Sequence, residues 1–178
     1  ITHRVGYIAT RLGADRSPTE DDLRRSELAE RMGIAGYCAA RPGSTALFDE
    51  DGAVALAEAR RRLASADGAL ATWVISARRE EAPELGLGDK AGWERFARAN
   101  LRPALAEAMG VPESSVRWVA AEHENAEASK HIHVISWSSD GAFDSLMGRR
   151  ALDGARRSLV DSALAPAVEA ELSRRDAA

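Results

Sequence analysis

A single cysteine, Cys38, stands in the 178-residue chain, so no disulfide can close within it and no cysteine-rich metal site can be built. The want of a disulfide framework agrees with a reducing compartment. An apolar run of membrane-spanning length is missing too, as is a signal-peptide pattern, so a soluble, cytoplasmic protein with no membrane partner is expected. There is no low-complexity tract, and with 45% hydrophobic residues the chain is long enough for a real core. Residues 1–178 are therefore expected to form one domain, and with Ile1 in place of a methionine they are expected to be a fragment or a trimmed domain of a longer protein. Excess positive charge is absent: a net charge of −4 argues against a general affinity for nucleic acid. Arginine nonetheless supplies nearly all the cations and is clustered, as in Arg60-Arg61-Arg62, Arg78-Arg79 and Arg149-Arg150. Such groups usually form solvated helix faces, so overall charge does not decide what the protein binds.

Histidine is scarce as well, and its distribution is the informative feature. Of four histidines, one is His3 and the other three fall in the run His123-Glu-Asn-Ala-Glu-Ala-Ser-Lys-His131-Ile-His133. Lys130 to Trp137 is β-branched and aromatic and reads as a strand. Alternation then points His131 and His133 to one face, roughly 6 to 7 Å apart along the strand, with Ile132 and Val134 on the other. Ser115 to Ala121 reads as a second strand, joined to the first by a hairpin-like connection, and His123 leaves it beside the pair. A His-x-His on a strand is often only a half-exposed polar face. A third histidine makes a three-imidazole metal site with open positions geometrically reasonable, and the spacing fits no usual structural zinc pattern.

Elsewhere the chain alternates helices with strands. Tyr7 to Arg11 begins a short helical turn, and Ser17-Pro-Thr-Glu20 caps a charged helix reaching about Arg31. Gly33 interrupts it, and Ile34 to Arg41 forms another short helix ended by Pro42-Gly43. A brief strand at Ala46 to Phe48 precedes the turn Asp49-Glu-Asp-Gly52, and Ala53 to Ala64 is helical. Ala69 to Ala77 is the clearest strand of the first half. Ala91 to Met109 is an amphipathic helix whose stripe of Trp93, Phe96, Leu101, Leu105 and Met109 is core. A turn at Ser138 to Gly141 leads to a long helix from about Met147. The expected class is α+β, a central antiparallel β-sheet with helices packed on its faces.

Three segments, taken together, resemble the conjugative relaxases of the MobP and MobL groups, in the HUH endonuclease superfamily. Arg4-Val-Gly-Tyr-Ile-Ala-Thr-Arg-Leu-Gly13 looks like their motif I, in which a tyrosine is the DNA nucleophile, and Tyr7 is the matching residue. Trp73-Val-Ile-Ser-Ala-Arg78 is similar to the motif II strand, whose serine is implicated in holding DNA; Ser76 is its counterpart. Val119-Ala-Ala-Glu-His-Glu124 with His131-Ile-His133 resembles motif III, the histidine triad, here with seven residues between His123 and His131. The motifs occur in family order. The resemblance implies an HUH relaxase-like fold and nicking of single-stranded DNA at an origin of transfer. It further implies a 5′-phosphotyrosine intermediate, relaxosome and coupling proteins as partners, and a role in conjugation or mobilisation of a plasmid or other mobile element.

Those residue types suit that chemistry. A phosphodiester repels nucleophiles by its charge, and a divalent ion on a non-bridging oxygen offsets that repulsion and orients the group. Imidazole favours Mn²⁺, Zn²⁺ or Ni²⁺ over the oxygen-seeking Mg²⁺, which leaves the metal open among the four. Free tyrosine titrates near pH 10, so its hydroxyl needs activation. Glu124 is the candidate for support, as a carboxylate fixing a histidine's tautomer, with a solvated loop acid as the plain alternative. Tyr37, in a Gly-Tyr segment echoing the first, is either a second tyrosine nucleophile or a packed or DNA-contacting residue. Arg11 and Arg41, with Arg78, either hold phosphate or form surface ion pairs. Two other functions stay open: a DNA-binding module of the same fold that does not cleave, and a metal-dependent phosphohydrolase with no covalent step.

Overall fold

The computed structural model describes residues 46–124 and 129–176, together with Gly33, Ala35, Gly36, Cys38 and Ala39, which are helical. Within them the elements run α1 (Leu56–Ser65), β1 (Ala71–Arg78), α2 (Lys90–Met109), a 3-10 turn (Glu113–Ser115), β2 (Val116–Glu124), β3 (Ser129–Ser138) and α3 (Arg149–Asp176). The three strands make an antiparallel sheet in the order β1-β3-β2. The class is α+β, as expected from the sequence. The expected helices before Arg31 lie outside the described residues, and Gly33, read as an interruption, is itself helical.

Alternation divides the sheet into two apolar faces. Trp118, Ala120, Ile132 and Val134 pack with Trp93, Ala97, Leu101 and Leu105 of α2. Val119, Ala121, Ile135 and Trp137 face the other way, against Ala59 and Leu63 of α1 and against Ala35 and Cys38. Each strand of the central pair therefore buries both its faces, which holds register tightly: a one-residue slip would exchange the two apolar sets and move every histidine to the opposite layer. Under the α2 face, Trp73 donates its indole N–H to Ser136 Oγ at 2.9 Å, tying β1 to β3. α3 lies outside α2, with Ala155 packed on Ala104 and Ala108.

Helix boundaries follow local chemistry. α2 begins on Asp89, whose carboxylate accepts the N–H of Gly92 at 2.8 Å, and ends at Gly110 (φ 68°), whose N–H closes on the Ala106 carbonyl at 2.9 Å. α1 starts three residues later than its composition predicts because Ala53 and Val54 are engaged in a tight reversal: Val54 N–H donates to Leu47 O at 2.8 Å and Phe48 bridges both Ala53 and Ala120. Phe48 thus adds a short fourth rung at the β2 edge of the sheet.

Asp49 locks that reversal to α1. Its carboxylate accepts the N–H groups of Asp51 (2.8 Å) and Gly52 (3.0 Å) on one oxygen and meets Arg62 at 2.7 Å on the other. Arg62 also binds Glu58, and this hydrogen bond draws the Glu58 carboxyl below its ordinary range. Asp49 is buried, so removing its carboxylate takes the acceptor from two turn N–H groups and leaves Arg62 with Glu58 alone. Asp49→Ala is expected to lower unfolding free energy by about 1–3 kcal/mol in urea titrations, and Asp49→Asn by less; equal stability of all three proteins would refute the lock.

Candidate metal centre

Register builds the site. In the β2–β3 ladder His123 is directly opposite His131, and Ala121 is opposite His133. Cross-strand partners and residues two apart on one strand share a face, so all three imidazoles lie on the α1 side of the sheet. β2 runs through His123 to Glu124, farther than its composition suggests, because His123 and Glu124 both find partners on β3. Strand pairing thus absorbs Glu124 and, on the return, Ser129 and Lys130, so the seven-residue spacer leaves only 125–128 to make the connection. His123 therefore sits inside the strand and not past its end.

The rings form a close triangle. Centroids are 5.5 Å apart for His123 and His131, 5.1 Å for His131 and His133, and 4.3 Å for His123 and His133. The shortest of these is a diagonal pair, and Ala121 accounts for it: with only a methyl group opposite His133, that ring has room to lean toward His123. One nitrogen from each ring lies within 4.8 Å of the others. Three donors set tetrahedrally about one ion at about 2.1 Å are about 3.4 Å apart, so side-chain rotations that draw the nitrogens inward would bring all three onto a divalent ion. Three neutral imidazoles leave further coordination positions for water or substrate oxygens, and the donor set suits Mn²⁺, Zn²⁺ or Ni²⁺ better than Mg²⁺.

One ring is held in a defined tautomer. His123 Nε2 lies 2.9 Å from the backbone carbonyl of Cys38, in a buried contact. A carbonyl only accepts, so Nε2 carries the proton and Nδ1 keeps the lone pair. His123 would therefore bind an ion through Nδ1. A backbone carbonyl in this role is a common way of orienting a metal-binding imidazole. Nothing in the sequence signalled it: Cys38 draws attention through its thiol, whereas the group that acts is a main-chain oxygen, and one cysteine is no guide to which carbonyl meets a ring.

Depth and access differ across the triangle. His123 is buried, whereas His131 and His133 are half-buried toward β1. On that strand Val74 pairs with His133 and Ser76 with His131, on the same sheet face. Val74 is 62% exposed and Ser76 is exposed, so the cluster opens to solvent above β1. The structure thus brings Ser76 beside the histidines. Arg78, farther along β1 on the same face, is exposed and pairs with Glu81 at 3.3 Å. Glu124 occupies the strand position after His123, opposite Lys130. Tyr7, Arg11, Tyr37 and Arg41 lie outside the described residues.

No protein-family model, curated protein or solved structure matches the chain. Among the described residues no helix is long and apolar enough to cross a membrane.

Calorimetric titration with Mn²⁺ or Zn²⁺ should give one site per chain, and His131→Ala or His133→Ala should each weaken it at least tenfold, a loss of about 1.4 kcal/mol or more. Cys38→Ala should stay within about twofold of the wild type, since its carbonyl remains. A large loss on removing the thiol would mean that the sulfur, and not only the main-chain carbonyl, serves the site.

Proposed function

We propose that this chain is a metal-dependent relaxase domain that nicks single-stranded DNA at an origin of transfer and holds the cut strand as a 5′-phosphotyrosine. The observation that carries this reading is the convergence of His123, His131 and His133 on one face, with donor nitrogens within 4.8 Å of one another and an opening above β1. The order of the tyrosine, Trp-Val-Ile-Ser and histidine segments along the chain adds to it. An HUH relaxase-like sheet is the finer form of the fold this reading implies.

A divalent ion held by the triad would neutralise charge on a non-bridging phosphate oxygen and orient the diester. The remaining work belongs to the chain. The phenolic oxygen of Tyr7 attacks phosphorus, the bond from phosphorus to the 3′ oxygen breaks, and the phenolic proton goes to solvent or a base while the leaving 3′ oxygen is protonated. Bond energy is kept in the phosphotyrosine, so a free 3′-hydroxyl can later reverse the step. Ser76, exposed beside His131, would hydrogen-bond the strand, and Arg78, together with Arg11 and Arg41, would meet its phosphates. Glu124 would support a histidine, and Tyr37 is the candidate for a second strand-transfer tyrosine. Relaxosome and coupling proteins are the partners this activity calls for.

The test is incubation with Mn²⁺ and single-stranded oligonucleotides drawn from transfer origins, followed by denaturing electrophoresis. A protein–DNA adduct that survives denaturant is expected, absent in Tyr7→Phe and reduced at least a hundredfold in His131→Ala. Cleavage without an adduct would favour a phosphohydrolase, and binding without cleavage a non-cleaving DNA-binding module. An adduct that persists in Tyr7→Phe would remove Tyr7 as the nucleophile.

A further inference from the structure

Three consecutive arginines on α1 have different fates. Arg61 pairs with Glu58, and Arg62 with both Glu58 and Asp49. Arg60 has neither kind of partner: its Nε is buried with no hydrogen-bond acceptor among the described residues, and no described carboxylate forms an ion pair with it. A guanidinium nitrogen out of water and without an acceptor is costly, and a native protein rarely leaves one without a reason. Composition does not explain it, since Glu58 lies on the same helix and is already shared by the two neighbours.

Its position is specific. The Arg60 guanidinium passes over Gly36, with Nη2 at 2.8 Å from where a β-carbon would stand, so glycine is what lets it settle there. Gly36 is two residues before Cys38, about 3 Å along a helix axis, and the Cys38 carbonyl is the group that holds His123. α1 and this helical segment pack on the same face of the sheet as the histidines. A cation with no ion-pair partner among the described residues is therefore seated in the layer that carries the three imidazoles.

We propose that Arg60 is an anion-binding residue of the histidine site, contributing a guanidinium that takes a phosphate oxygen of the substrate. The inference rests on the metal-dependent nicking reading for its substrate, a phosphodiester of single-stranded DNA. A planar fork of N–H donors suits two phosphate oxygens at once, whereas a lysine would act only as a point charge. Gly36 leaves room for the fork where it lies, and a β-carbon there would make it shift.

The test uses the whole chain and two probes, inorganic phosphate and a single-stranded thymidine oligonucleotide, each titrated with and without Mn²⁺, beside a separate Mn²⁺ titration. Arg60→Gln should weaken both probes on the order of tenfold and leave Mn²⁺ affinity within about twofold. Arg60→Lys should recover part of the loss. Gly36→Ala should weaken both probes while keeping the charge, which a general electrostatic effect would not do. Loss for phosphate but not for the oligonucleotide would overturn the assignment to a DNA substrate, and unchanged affinity of both probes in Arg60→Gln would overturn the site. Should the wild type fail to bind Mn²⁺ yet lose phosphate on Arg60→Gln, the nicking reading falls and the anion site stands.

Discussion

Everything at the histidine cluster depends on the register of β2 against β3. Pairing His123 with His131 and Ala121 with His133 sets three imidazoles on one face within contact of one another. That register is fixed by burial and not by the histidines: β2 and β3 bury apolar residues on both faces, so a slip would misplace two apolar sets at once. The core thus supplies the rigidity that three polar rings, brought together at some cost in desolvation, could not supply for themselves. Placing a site on strands in place of loops also limits how far the donor atoms can drift.

The two faces of the sheet divide the labour. One carries α2 and behind it α3, and its packing is mainly apolar, with the Trp73 to Ser136 link, the Ser138 to Ser115 contact and a buried Glu122 among it. The other carries α1 and the helical segment around Cys38, and it keeps polar groups near the apolar layer: a carbonyl on His123, an Arg60 with no ion-pair partner among the described residues, and the Asp49–Arg62 lock at the far end of α1.

Much of this was legible in the residues. Period-two alternation in Lys130 to Trp137 placed His131 and His133 on one face, and the apolar stripe of Ala91 to Met109 gave α2 nearly to its ends. The extent of β2 was less legible, because His-Glu at its end has no β propensity of its own and is strand only through its partners on β3. The start of α1 was misplaced for a similar reason: alanine-rich composition cannot show that Ala53 and Val54 are held in a reversal. Hydrogen bonds from the main chain, such as that from Cys38 to His123, leave no trace in sequence. Nor does the difference between Arg60 and its two neighbours, which exists only once Glu58 and Asp49 have chosen their partners.

Anomalous diffraction from crystals grown with Mn²⁺ or Zn²⁺ would test the central claim most directly. One peak is expected at about 2.0–2.3 Å from three imidazole nitrogens, those of His131 and His133 and the Nδ1 of His123, with the Cys38 contact on Nε2 retained. No peak between the three rings, or an ion on fewer than three of them, would contradict the metal centre on which the functional reading stands.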